Sequence, residues 1–133
     1  MDYAIPEPVL APEEQQLFER GVAEFNAGLF FECHDTLEDL WSGVRGPSRD
    51  FFQGLIQVSV AFYHLGNGNL AGAESMLTRA LDRFAAYPER YFGFELARHR
   101  DELLIWLARV REGETGAAGL EQPPKWRFPL SAS

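Results

Sequence analysis

Few residues of this 133-residue chain are suited to chemistry: three histidines, one cysteine, and the carboxylates that flank one of the histidines. In "FFECHDTLEDLW", residues 30–41, His34 and Glu38 are four apart. That spacing makes them neighbours on a helix surface, where a carboxylate can fix an imidazole's tautomer or raise its pKa. Asp35 is close enough on the same wheel to join them. A second polar stripe holds Gln53, Gln57, Val60 and His64, which fall within about one fifth of a turn on a 3.6-residue wheel. If the helix carrying that stripe is buried, each amide and the imidazole needs a partner, since an unpaired one costs about 1–3 kcal/mol. His34 and Glu38 are the best partners on offer. The expectation is therefore one buried polar cluster of His34, Glu38, Gln53, Gln57 and His64, with Asp35 beside it and the Trp41 indole N–H in want of an acceptor.

Such a cluster could do several things. It could be a hydrogen-bonded network that fixes helix register. It could hold a divalent metal, zinc or iron, through His34, Glu38 and His64, although one His-x-x-x-Glu is less specific than a His-Glu-x-x-His or paired Glu-x-x-His pattern. It could use His34 as a base oriented by Glu38, but no nucleophile, oxyanion loop or phosphate cradle accompanies the pair. It could line a pocket for a small ligand. On residue types alone no cofactor is expected, with the divalent metal as the alternative. Cys33 reads as a free, moderately buried thiol beside the stripe, and His99, between Arg98 and Arg100, as exposed.

The elements that must position these groups are helices. Residues 1–12, with three prolines, read as an extended arm. Pro12, Glu13 and Glu14 open a first helix with Leu17, Phe18, Val22 and Phe25 on one face, and Gly28 ends it. A second helix spans about residues 30–42 with Phe30, His34, Leu37 and Trp41 as its inner stripe, and stops in "SGVRGP". The third, about 49–66, is apolar all round and should be central. Asn69 is a plausible N-cap for a fourth, and a fifth runs over about 94–112 with Leu96, Leu103, Leu104, Leu107 and Val110 on one stripe. No segment alternates with period two. The fold class is all-α: a compact array of about five helices with the third central and buried, a single domain over 13–112, and a proline-rich tail over 113–133. Trp126 and Phe128 in "KWRFP", and Tyr3, Ile5, Val9 and Leu10 in the arm, should dock on their own domain or on a neighbouring subunit, which leaves a homo-oligomer through the tails open.

A net charge of -8 argues against nucleic acid or an anionic membrane as a partner, since both attract dense Lys and Arg patches, and favours cations or basic partners. The basic pairs Arg79/Arg83 and Arg98/Arg100 sit among acidic neighbours and read as solvated faces. One cysteine, no basic leader and no long apolar run point to the cytoplasm.

Phe31, Glu32, His34, Asp35, Glu38 and Trp41, followed by Gln53-Gly54, His64 and Gly68-Asn69, form a pattern that resembles the small all-helical proteins grouped as domain-of-unknown-function family 309. The family pattern is Phe-Glu-x-His-(Glu/Asp)-x-x-Glu-x-x-Trp, then Gln-Gly and a distant His. Asp35 stands where glutamate is commoner, which keeps the charge and shortens the reach. The resemblance covers about residues 15–110 and implies a compact helical fold without pointing to one activity. The leading reading is a soluble protein that acts through binding or assembly. The alternatives are a metal-dependent or acid–base enzyme using His34, Glu38 and His64, and a repeat-like scaffold for a partner peptide or helix.

Overall fold

Breaks in the helical pattern set the element boundaries. A computed structural model describes residues 5–113 and 122–129, and contains helices α1 (Pro12–Asn26), α2 (Phe30–Gly43), α3 (Arg49–Gly66), α4 (Leu70–Phe84) and α5 (Leu96–Arg111). Pro12 sits at the first helical position, where its missing N–H costs nothing, and the Glu14 carboxylate accepts from the Ala11 N–H at 2.9 Å. Asn69 caps α4 by accepting from the Gly72 N–H at 2.9 Å. The fifth helix begins two residues later than its apolar pattern suggested, because Tyr91 and Phe94 pair across a tight turn. That turn places Gly93 at φ 72°, against Pro129, where a side chain would fit neither the backbone nor the space.

Helix α3 is the centre. Eleven of its eighteen residues are buried, and it packs most extensively on α4 and also on α2, which in turn packs on α1. The α3–α4 contact is close because Gly54 has no side chain: a Cβ there would lie 2.5 Å from the Phe84 ring. The N-terminus of α3 is satisfied from the loop after α4, where the Tyr87 hydroxyl accepts from the Phe51 N–H at 2.9 Å and donates to the Pro47 carbonyl. Arg49 caps the end of α2 by donating to the carbonyls of Trp41 and Val44, at 2.9 and 2.8 Å. No described helix is long and apolar enough to cross a membrane.

The described parts of the arm and the tail lie over the helices. In the arm, the Pro6 carbonyl accepts from the Tyr91 hydroxyl and the Glu7 carboxylate from the Phe92 N–H, while Val9 is exposed. In the tail, Trp126 stacks on Phe25 with centroids 3.8 Å apart, and Phe128 on Phe94 at 4.2 Å. Asn26 locks this arrangement by bonding both the N–H and the C=O of Trp126. Residues 122–129 therefore dock on their own chain; Tyr3 lies outside the described residues.

Candidate functional site

Helix α2 turns a different face inward from the stripe expected of it. Its buried residues are Cys33, Thr36, Leu37 and Leu40, while Phe30, His34 and Trp41 are half-buried along the edge. His34 has a carboxylate at each ring nitrogen: Glu38 lies 3.1 Å from Nε2 and Asp35 3.3 Å from Nδ1. The three side chains are 25%, 51% and 61% exposed, in the order His34, Glu38, Asp35. They form a rim feature open to water, where one buried cluster with Gln53, Gln57 and His64 was expected.

The stripe on α3 disperses for a similar reason. Gln57 is buried, but it faces α4, where its carbonyl oxygen accepts from Arg83 Nε at 3.2 Å; Arg83 also reaches Asp50 at 2.6 Å. Arg83 is thus part of an inter-helix bridge and not a plain solvated face. Gln53 is half-buried, with no side-chain hydrogen bond to the described residues. His64 is half-buried at the α3–α4 turn, its Nδ1 3.4 Å from the Asn69 amide nitrogen and its ring against Gly72. The Trp41 indole N–H finds no acceptor among the described residues; the ring instead lies under the Arg49 guanidinium, 3.7 Å from its centroid.

The structure does unite His34 with His64 in another way. Both line a groove of about 180 Å³ between α2 and α3, together with Phe30, Phe31, Val60 and Tyr63. Phe31 and Tyr63, whose ring centroids are 5.5 Å apart, remain 49% and 40% exposed. Neither was singled out as a site residue in the sequence. Their signal was there, since each directly precedes or closely flanks a polar residue on a face that a buried helix should not leave in water.

Three side chains of this rim could ligate a cation. The ligand atoms of His34, Asp35 and Glu38 all lie within 4.8 Å of one another, whereas His64 is not part of that grouping, so the geometric metal candidate differs from the expected His34, Glu38 and His64. Cys33 next to His34 offers no nucleophile: burial pushes its thiol up to about 12, partly offset by a hydrogen bond with Ser59.

The histidine expected in solvent is the buried one. His99 is 1% exposed, and its Nε2 accepts from the Trp126 indole N–H at 3.3 Å while Nδ1 lies 3.5 Å from Glu102. Burial pushes its pKa down, partly offset by the bond to Glu102. Arg100, expected on a solvated face, donates to the carbonyls of Phe84 and Tyr87.

Residues 18–76 match the family model Domain of unknown function (DUF309). The matched segment runs from within α1 into α4 and contains the whole α2–α3 groove, His34, Asp35, Glu38 and His64. It leaves out α5 and the tail. An uncharacterized protein of Aquifex aeolicus (strain VF5) is 22% identical over 120 residues, covering 90% of this chain and 34% of that protein. Uncharacterized protein YpuF of Bacillus subtilis (strain 168) is 36% identical over 62 residues, covering 45% of this chain and 36% of that protein. The chain thus spans about a third of the length of these curated relatives.

Proposed function

We propose that the protein is a binding module that accepts a basic side chain of a partner protein in the groove between α2 and α3. The observation that carries this reading is an open apolar groove with exposed Phe31 and Tyr63 on its wall and the Asp35 and Glu38 carboxylates beside His34. An arginine or lysine has an apolar stem for such a groove and a charged head for such carboxylates. The volume of about 180 Å³ is below the ~300–1,000 Å³ of small-molecule pockets, which favours one side chain of a larger partner over a free metabolite. A net charge of -8 adds long-range attraction for a basic partner and repels nucleic acid. The lone buried cysteine fits a cytoplasmic setting.

The test is an NMR titration with unstructured peptides that carry a single arginine or lysine between leucines, and with their glutamate counterparts. The basic peptides should shift the resonances of Phe31, Tyr63 and His34, and the double change Asp35→Asn/Glu38→Gln should weaken binding about tenfold. Equal binding of the glutamate peptides, or no loss in the double variant, would refute the reading.

The closeness of His34, Asp35 and Glu38 supports a second reading, a divalent cation held on one imidazole and two carboxylates. Calorimetric titration with zinc should then show one site that His34→Ala removes and His64→Ala leaves intact. Absence of saturable heat, or survival of the site in His34→Ala, rules it out.

A further inference from the structure

The opposite charge gathers beside the C-terminal tail. A pocket of about 250 Å³ lies where α5 meets the C-terminal tail, and Arg90, Arg98, Lys125 and Arg127 line it. These are four of the twelve basic residues in a chain with twenty acidic ones. They come from three separate segments: the loop after α4, the first turn of α5, and the tail. We propose that this pocket is an anion-binding site for a small molecule that carries phosphate groups.

The tail is built to deliver two of the cations. In "KWRFP", Trp126 is buried on Phe25 and His99, and Phe128 packs on Phe94 and Phe18. Lys125 and Arg127 alternate with them and are exposed at the pocket, as an extended segment with one buried face requires. The cations are also incompletely neutralised. Arg90 and Arg98 share the single carboxylate of Glu95 at 4.0 and 3.8 Å, and Lys125 donates to the Asn26 carbonyl. Arg127 has neither an ion pair nor a hydrogen bond within the described residues, though it lies near enough to Glu102 to stabilise its charge. Glu102 itself is engaged with His99. Four positive groups against two carboxylates leave a surplus that one dianionic group would balance.

The attraction comes from side chains and not from a helix end. In the first turn of α5, the N–H groups of Leu96 and Ala97 already donate to the carbonyls of Phe94 and Glu89. Guanidinium groups, three of the four cations, match phosphate oxygens in a forked geometry that a lone ammonium cannot provide. The volume, just under the range of drug-sized pockets, suits a phosphate or diphosphate group with a small body.

The test uses the full chain with pyrophosphate as the probe, titrated by calorimetry at low salt, with sodium sulfate of equal ionic strength as the control. Saturable one-to-one binding is expected, weakened about tenfold or more by Arg98→Gln/Arg127→Gln and unchanged by Asp35→Asn/Glu38→Gln. Saturating pyrophosphate should also slow acylation of Lys125, the only lysine in the chain, as followed by peptide mass. Circular dichroism checks that the variants fold; should the double variant fail to, Lys125→Gln is used and the same loss of affinity is expected. The proposal is overturned by the absence of saturable binding, by unchanged affinity in the folded variant, by an equal response to sulfate, or by binding of a phosphoserine peptide without binding of pyrophosphate.

Discussion

Exchanging His99 and His34 for alanine, one at a time, should separate a structural histidine from a surface one. His99 is 1% exposed and supplies the acceptor for the Trp126 indole N–H, so His99→Ala leaves that donor buried and unpaired, at about 1–3 kcal/mol. The space vacated between the rings of Phe84 and Phe94 adds a cavity term, which brings the total to roughly 2–4 kcal/mol. His34 contacts two carboxylates that are themselves more than half exposed, and pairs of that kind contribute about 0–1 kcal/mol. His34→Ala should therefore cost under about 1 kcal/mol. Urea unfolding followed by circular dichroism measures both, and a loss of about 3 kcal/mol is large against a typical total of ~5–15. His99→Gln, whose amide oxygen can still accept, should recover part of the loss. If His34→Ala proves as costly as His99→Ala, the burial argument is wrong.

Acid should loosen the tail. The folded pKa of His99 lies below its ordinary 6.5, so the unfolded chain binds the proton first, and stability that is full above that value declines as pH falls toward the depressed one. A proton on Nε2 would also confront the Trp126 N–H, and Glu102, held below its ordinary 4.5 by the bond to His99, extends the loss to lower pH with the same sign. Urea midpoints measured from neutral to mildly acid pH should fall, with a flatter response in His99→Gln; a flat response in the parent chain would falsify the assignment. Gly54→Ala should destabilise by about 1–3 kcal/mol, because its Cβ would meet the Phe84 ring at 2.5 Å, and an unchanged thermal midpoint would contradict the α3–α4 contact. Cys33, fully buried and with its thiol pushed up to about 12, should react with a disulfide reagent only after denaturant is added. Rapid labelling of the native chain would show that α2 opens far more readily than its packing implies.

The helices were legible because their signals are local. Pro12, Gly28 and the cap at Asn69 act through backbone groups a few residues away, and the apolar girth of α3 needs only a count around its own axis. The buried cluster was misplaced because a helical wheel fixes angles within one helix and says nothing of the direction from which a neighbour arrives. Gln57 and His34 each lie on a consistent face, but α4 covers the first and water the second. The burial of His99 is legible in the sequence. Leu96, His99, Leu103, Trp106 and Val110 follow helical spacing and are all buried, while the flanking Arg98 and Arg100 point elsewhere because adjacent helical residues diverge by about 100°. The tail held a signal too: basic residues alternating with aromatic ones mark an extended segment with one wet face.

The groove and the basic pocket are joined by stacked rings. Phe30, on the groove wall, has its centroid 5.2 Å from that of Phe25; Phe25 stacks on Trp126 at 3.8 Å; and the Trp126 indole bonds to His99, on the wall of the basic pocket. Phe25 is fully buried, and the tail covers one face of its ring. The segment that matches the family model ends at residue 76, so the ring that supports its groove is sealed by a residue fifty positions beyond the match. Contact alone is not coupling, which needs an element with two arrangements that both sites bias. The tail is held by Asn26, by one indole bond and by two aromatic stacks, and a single proton on His99 sets the bond against itself. If binding at Lys125 and Arg127 restrains the ring stacked on Phe25, a partner's affinity for the groove should rise in saturating pyrophosphate, and an unchanged affinity would show that the ring contacts carry no coupling.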